Sequence, residues 1–299
     1  MLFNESQPAD KRKKFREGLK SGKLLKFPGA FSPLSAMQIE KLGFEGVYIS
    51  GSVLSNDLGY PDVGLTTLSE VSQRGRQIAR VTKLPSIIDA DTGFGVALNA
   101  ARTIQEFIEL GLSGCHLEDQ ENPKRCGHLD GKSLVSTGDM LQKIKAADMS
   151  RKLDPNFVII ARTDARASEG LEKAIERAKA YVDAGADVIF TEALQDEKEF
   201  EAFRKAVKAP LLANMTEFGK SKLLSIKQLE GLGFNIVIWP VTTLRLAMKA
   251  QEEGLKHILK EGNQEGILDK MQHRKELYEL TDYERYSTFD QNIFNFKLS

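Results

Sequence analysis

Four stretches of the chain repeat one hydrophobic pattern. "LGFEGVYIS", "LGLSGCHLED", "AGADVIFTEA" and "LGFNIVIWP" each pass through a glycine into a short, unbroken apolar run. Gly43, Gly111, Gly185 and Gly233 stand where the end of a helix wants a residue with positive φ. The apolar runs that follow are rich in β-branched residues and do not alternate with polar ones. That is the mark of strands buried on both faces of a parallel sheet. "LLKFPGAF", "LPSIIDAD", "NFVIIARTDA" and "APLLANMTE" bring the strand candidates to eight, beginning near Leu24, Gly46, Pro85, Gly114, Phe157, Asp187, Pro210 and Asn235. Segments of helical period, such as "NAARTIQEFIEL" and "GLEKAIERAKAYVDA", lie between most of them.

Strands alternating with helices at this spacing predict an α/β fold of the (β/α)8 TIM-barrel type. A doubly wound sheet also alternates, but the glycine-rich phosphate fingerprint after its first strand is missing. Two pieces fall outside the eightfold count. Residues 1 to about 22 predict an added N-terminal helix, and residues from about 263 to 299, including "ILDKMQHRKELYEL", predict a C-terminal helical extension. No Pro/Gly/Ser-rich linker divides the chain, so residues 1–299 read as a single domain.

Charge and cysteine content narrow the partners. The 42 basic and 42 acidic side chains cancel, and no basic stripe with interleaved aromatics runs along any element, which argues against nucleic acid. The run "KRKKFREGLK" reads as a solvated first helix. Cys115 and Cys126 do not make a disulfide framework and fit a reducing compartment. The start of the chain lacks the apolar core of a secretory signal, and no apolar run approaches the roughly 20 residues that span a bilayer. The expectation is a soluble, cytoplasmic protein that engages no membrane.

The unusual polar residues fall at the C-terminal ends of the strands, where this barrel carries its chemistry. The third strand ends in Asp89 and Asp91, two apart and so on one side; the fourth ends in His116 and Glu118, likewise. Arg162, Glu192, Asn214 and Thr216 end the fifth, sixth and seventh strands, and Arg245 follows the eighth. Singly, a strand-end Asp usually caps the next helix and an Arg there makes a rim ion pair. Together, two aspartates, a glutamate and a histidine at one rim are costly without a cation. An oxygen-rich donor set without paired cysteines suits Mg²⁺ or Mn²⁺. Arg162 and Arg245 then match a carboxylate bidentately, so the site predicts a divalent metal and a small polyanion.

The loop "ENPKRCGHLDGK" after the fourth strand hangs over the same rim. There Lys124, Arg125 and His128 should lower the Cys126 pKa and favour thiolate, while Gly127 and Gly131 let the loop fold over a ligand. Cys115, inside an apolar strand, reads as core.

The motifs "VYISGS", "IIDADTGFG", "HLEDQENPKRCGHLDGK", "IIARTDA", "FTEA", "ANMTE" and "MQHRKELYE" span residues 47 to about 280. In them the chain resembles the isocitrate lyase/phosphoenolpyruvate mutase superfamily. The resemblance implies a homotetramer whose C-terminal helix is exchanged between subunits. It also implies cleavage of a small tricarboxylate, 2-methylisocitrate, to pyruvate and succinate in propionate catabolism. By position, Asp89 and Asp91 match the metal residues, with His116 and Glu118 acting through water. Ser50, Gly51 and Ser52 match a carboxylate cradle. Asp62, Gly127, Arg162, Glu192, Asn214, Thr216, Arg245 and Arg274 match substrate contacts. Cys126, Tyr48, His128 and Arg125 form the candidate catalytic set, with Cys126 as proton donor. Other readings are a related lyase or hydrolase acting on isocitrate, a dimethylmalate-like acid or oxaloacetate, and a non-catalytic binding barrel.

Overall fold

A computed structural model describes residues 3–4, 6–129 and 131–297, so the outermost ends of both expected helical extensions lie outside the described residues. The eight strands are β1 (Leu25–Pro28), β2 (Val47–Ile49), β3 (Ser86–Asp89), β4 (Gly114–Glu118), β5 (Val158–Thr163), β6 (Val188–Thr191), β7 (Leu211–Asn214) and β8 (Ile236–Trp239). Each begins at the expected residue or one past it. All pairs are parallel, in the order β1-β8-β7-β6-β5-β4-β3-β2. A bridge between Gly29 and Tyr48 joins the two end strands, with the Ala30 N–H donating to the Tyr48 carbonyl at 2.8 Å. The sheet is therefore a closed (β/α)8 barrel. Gly43, Gly111, Gly185 and Gly233 carry φ of 83°, 86°, 119° and 76°, each ending a helix just ahead of a strand.

The unbroken apolar runs have the meaning expected of them. One set of side chains, including Phe27, Ile87, Ile160, Val188, Leu212 and Ile236, fills the barrel interior. The alternate set, such as Ile88, Leu117, Ile159 and Val237, packs outward under Ile78, Ile104, Phe107 and Ile144 of the helices. Gly46 makes room inside, since a Cβ there would lie 2.1 Å from the Phe27 ring.

The first helix, Pro8–Lys20, corrects the solvated reading of its basic run. Phe15 and Leu19 join the interior cluster, and the Phe15 ring lies 5.3 Å from that of Phe27. Burying such a ring is worth roughly 1.5–3 kcal/mol. Lys11 and Arg12 are buried as well. Arg12 donates to the Leu112 carbonyl at 2.8 Å and pairs with Asp154 at 2.7 Å, and Arg16 pairs with Asp187 at 2.6 Å. These partners stand just before β4, β5 and β6, so the helix closes the N-terminal mouth with its cationic face turned inward. Lys13, Lys14 and Glu17 take the solvent side. Polar chemistry is left to the other mouth.

The described chain forms two compact units, Met1–Thr243 and Leu244–Ser299. The first is the barrel. The second contains most of the helix Thr242–Glu261, a 3₁₀ turn Glu265–Lys270, and the helices Arg274–Leu280 and Tyr283–Phe294. Within it a groove of about 860 Å³ is lined by Gly254, Ile258, Ile267 and Met271 among others. Leu246, Leu255, Leu259, Ile293 and Phe294 are exposed. No described helix is long and apolar enough to cross a membrane.

Candidate active site

The C-terminal ends of β2, β3 and β4 bring one group of side chains together. Asp89, the last residue of β3, is held from two sides: Oδ2 accepts from the Gly51 N–H at 3.1 Å and Oδ1 from the Asp91 N–H at 2.9 Å. A Cβ on Gly51 would come within 2.8 Å of Asp89 Oδ2, so only glycine allows this approach. Asp91 itself adopts φ of 45°, a left-handed conformation rare for a side-chain-bearing residue, and such strain concentrates at functional sites. His116 is sealed from solvent; its Nε2 is 2.7 Å from the Tyr48 hydroxyl and its Nδ1 3.6 Å from Asp89 Oδ1. Burial lowers the His116 pKa to about 3, so the imidazole is neutral and accepts or donates one proton only. Burial, reinforced by Asp89, pushes the Tyr48 phenol well above its usual range.

Burial also raises the Asp89, Asp91 and Glu118 carboxyls, against the pull of Lys124 on all three and of Arg162 on Asp89 and Glu118. Lys124 is the surprise of this group. The sequence reading used it only as a loop cation acting on Cys126. Its ammonium is in fact buried, 2.7 Å from Asp91 Oδ1 and bonded to Asp62. Burial works to lower its pKa, but Glu118, Asp91, Asp89 and Asp62 outweigh that and hold it well above the ordinary value. Nothing in the run "PKRCGH" distinguishes an inward lysine from an outward arginine.

A second group is built on β5, β6 and β7 around Arg162. Its guanidinium donates to both oxygens of Asp164 at 2.9 and 3.1 Å, and lies 3.2 Å from Glu118 and 3.3 Å from Glu192. The Phe190 ring supports it from below at 5.1 Å. Asp164 was missed in the sequence, although "RTD" places it two residues from Arg162 and so on the same side. It is tied in turn by Asp119, which accepts from the Asp164 N–H at 2.9 Å and from the Thr163 and Tyr181 hydroxyls at 2.8 Å each. Glu192 accepts from the Asn214 amide at 3.3 Å and lies 3.0 Å from His128 Nε2. His128 Nδ1 accepts from the Lys220 N–H at 2.9 Å. A neutral ring in that position carries its proton on Nε2, aimed at Glu192. Burial opposes ionisation of Glu192, but Arg162, His128 and the Ala193 N–H prevail and bring its carboxyl to about 2.

The thiol loop sits on this group. A Cβ on Gly127 would fall 2.3 Å from Glu192 Cγ and 2.4 Å from Arg162 Nη2. Only a glycine lets the backbone beside Cys126 approach so closely. The expectation that the loop lowers the Cys126 pKa is corrected here. Burial raises it, the His128 N–H pulling the other way, because Lys124 is spent on carboxylates and the exposed Arg125 faces solvent. Cys115 is wholly buried core, as expected.

The remaining predicted residues are placed as follows. Ser50 caps the helix Gly51–Asp57, its hydroxyl accepting from the Val53 N–H at 3.4 Å; Ser52 is half-buried on that helix, and Thr216 is buried after β7. Arg245 and Arg274 belong to the second unit, on the helices Thr242–Glu261 and Arg274–Leu280.

Fit to a divalent cation can be tested on the donors themselves. Among the described residues, His116 Nδ1 and Glu118 Oε1 are buried polar atoms without a hydrogen-bond partner. No cluster of three or more His, Cys, Asp or Glu suited to hold a metal occurs among the described residues. Mg²⁺ ordinarily takes one or two direct carboxylates and keeps its waters, to which such orphaned groups then bond. The set Asp89, Asp91, His116 and Glu118 fits that pattern.

Comparison with known proteins agrees with this chemistry. The family model for phosphoenolpyruvate phosphomutase matches residues 15–259. The protein named "Probable 2-methylisocitrate lyase 1" of Corynebacterium glutamicum is 59% identical over 99% of this chain and 97% of its own. An oxaloacetate acetylhydrolase solved with 3,3-difluorooxalacetate superposes with a TM-score of 0.92 at 34% identity, covering 98% of this chain and 100% of that one. A phosphonopyruvate hydrolase solved with oxalate and Mg²⁺ gives 0.87 at 30% identity, covering 95% and 99%. The chain therefore belongs to the phosphoenolpyruvate phosphomutase family of (β/α)8 enzymes. Within that family it stands with the 2-methylisocitrate lyases.

The raised thiol pKa carries a prediction. The rate of Cys126 alkylation by iodoacetamide, followed against pH in the resting protein, should rise with a midpoint above that of an unhindered cysteine. A midpoint below the ordinary thiol value would contradict the electrostatics described.

Proposed function

We infer that the chain is a carbon–carbon lyase that cleaves 2-methylisocitrate to pyruvate and succinate. The observation that carries this reading is the seating of the Cys126 loop, through Gly127, directly on the Arg162–Glu192 pair. A proton donor and an anion-binding array thus face one space beside the Asp89/Asp91 pair. The similarity to methylisocitrate lyases over nearly the full length supports the same substrate.

The chemistry divides among the residues. Cleavage needs the substrate hydroxyl proton removed, the C–C bond broken toward the departing succinate, and that carbon protonated. Tyr48 is a poor phenolate base, since burial and Asp89 oppose its ionisation. Held by its 2.7 Å bond to the neutral His116, it instead orients the substrate hydroxyl, whose proton passes to the Glu118 carboxylate, where burial raises proton affinity. Electrons left on the succinate half spread into its carboxylate, which Arg162, Asn214, Thr216 and the helix beginning at Gly51 receive. Cys126, kept as a thiol by burial, then gives up its proton to the carbon. His128, fixed between Glu192 and the Lys220 N–H, keeps the loop closed over the site. Mg²⁺ held by Asp89 and Asp91, with His116 and Glu118 through water, would act as the Lewis acid that polarises the oxygen of the forming 2-oxo acid. Both cysteines are free, which suits the reducing cytoplasm.

Incubation of the protein with 2-methylisocitrate should release pyruvate and succinate in equal amounts, and only when Mg²⁺ or Mn²⁺ is present. Asp89→Ala should abolish turnover, and Cys126→Ser should lower kcat by about 10²–10⁴-fold, serine being a far weaker acid of similar size. Full activity in excess chelator, or a Cys126→Ser enzyme at wild-type kcat, would refute the respective assignment.

The same reading includes a homotetramer in which the second unit is shared between subunits, bringing Arg274 to a neighbour's site. Supporting it are the exposed Leu255, Leu259, Ile293 and Phe294, too many apolar side chains for a surface left in water. Sedimentation of a Leu255→Glu/Leu259→Glu double variant should show smaller species with reduced activity. A variant that sediments and turns over like the parent would exclude these helices from the interface.

A further inference from the structure

Beyond β4 the chain makes seven residues of loop before it reaches Cys126, and one buried side chain holds the backbone just ahead of that thiol. Gln120 is 1% exposed. Its own backbone is anchored: it pairs antiparallel with Leu134, and flanking bonds run from the Glu121 N–H to the Ser133 carbonyl and from the Val135 N–H to the Asp119 carbonyl, each 2.9 Å. From that base the side-chain amide reaches across the loop to Arg125. Its Nε2 donates to the Arg125 carbonyl at 2.9 Å and its Oε1 accepts from the Arg125 N–H at 2.9 Å. The amide thus acts on Arg125 as a neighbouring strand would.

The two bonds engage different peptide planes. The Arg125 N–H belongs to the Lys124–Arg125 peptide and its carbonyl to the Arg125–Cys126 peptide. Holding both fixes the backbone on either side of one residue, and with it the departure of the Lys124 and Cys126 side chains. Just beyond, the Leu129 N–H donates to the Cys126 carbonyl at 2.9 Å, so the thiol residue is pinned from both directions. The Arg125 side chain itself is exposed.

We propose that Gln120 is a positioning residue that sets the place of the Cys126 thiol over the barrel mouth. Its functional consequence rests on the reading of Cys126 as proton donor. Among side chains of this length an amide presents one donor and one acceptor side by side at any pH, and a carboxyl does so only while protonated, so the Glu variant is read at alkaline pH, where it is ionised. A carboxylate keeps the bond to the N–H and sets an oxygen against the Arg125 carbonyl. A methionine fills the same space with neither bond. Water can take up the backbone groups of the exposed Arg125, so both changes loosen the loop while leaving the barrel folded.

The test uses full-length Gln120→Glu and Gln120→Met, with iodoacetamide as probe and Cys115, fully buried in β4, as the internal report on folding. Cys126 alkylation should quicken in the order parent, Glu, Met, reaching about tenfold or more as two bonds are lost and the open loop becomes populated. With Cys115 still protected, kcat should fall by about 10²-fold and KM change much less, the cost of a displaced acid. Should the Met variant unfold and expose Cys115, the Glu variant alone decides the matter. Parent-rate labelling of Cys126 in a variant with protected Cys115 overturns the proposal, whatever happens to turnover. Faster labelling with undiminished kcat leaves the clamp standing and removes Cys126 from the proton step instead.

Discussion

Mutual repulsion among sealed carboxylates governs this barrel mouth. Asp89, Asp91 and Glu118 are each at most 6% exposed, and they share the rim with Asp62, Asp164 and Glu192. Two like charges 4 Å apart repel by about 4 kcal/mol at a dielectric typical of protein surfaces, and by more where water is excluded. Three cations with buried side chains answer them, Lys132 joining Arg162 at Asp164 with a 3.3 Å contact. Lys124 serves the Asp62/Asp91 side, and Arg162 serves Asp164, Glu118 and Glu192. The same balance that permits the fold creates a place suited to a divalent ion and a polyanion.

The neighbours of each acid decide what it does. Glu118 and Glu192 sit on strands two apart and are equally buried, yet their pKa values move in opposite directions. Burial prevails at Glu118, whose partner is Arg162 at 3.2 Å. At Glu192 the same burial is overcome by Arg162, His128 and the Ala193 N–H acting together. Such divergence within one pocket is how enzymes separate proton-holding from charge-holding roles. The backbone contributes too. Asp91 and Phe94 take positive φ in the turn after β3, and Asn122 and Lys143 both bond Thr92 between them, at 3.0 and 2.8 Å.

Much of this was legible in the sequence because the barrel repeats its signal. Glycines ahead of apolar runs located the strands to within a residue, and the period of two along a strand put Asp89 with Asp91 and His116 with Glu118 on one side. The same rule, applied to "RTD", would also have found Asp164. What stayed hidden depends on which way a side chain turns in irregular backbone. Lys124 and Arg125 are adjacent cations, one buried among acids and one in solvent, and no periodicity separates them. The error over Cys126 followed directly: counting nearby positive charges predicted a lowered pKa, whereas burial and the prior commitment of Lys124 raise it. Gln120 is an ordinary polar residue until its two bonds across the loop are seen. The cationic face of the first helix was misjudged for a related reason, since the partners Leu112 of Arg12 and Asp187 of Arg16 lie 100 and 171 residues away in sequence.

If the carboxylate cluster is the governing constraint, removing its counter-charge should cost stability in a way that a divalent ion repairs. The most direct measurement is chemical denaturation of Lys124→Met beside the parent, with and without Mg²⁺. Breaking a buried ion pair from one side costs about 3–5 kcal/mol. The account therefore predicts a large loss of stability for Lys124→Met without Mg²⁺, and a greater gain on adding Mg²⁺ than the parent shows. A Lys124→Met protein as stable as the parent, and indifferent to Mg²⁺, would contradict it.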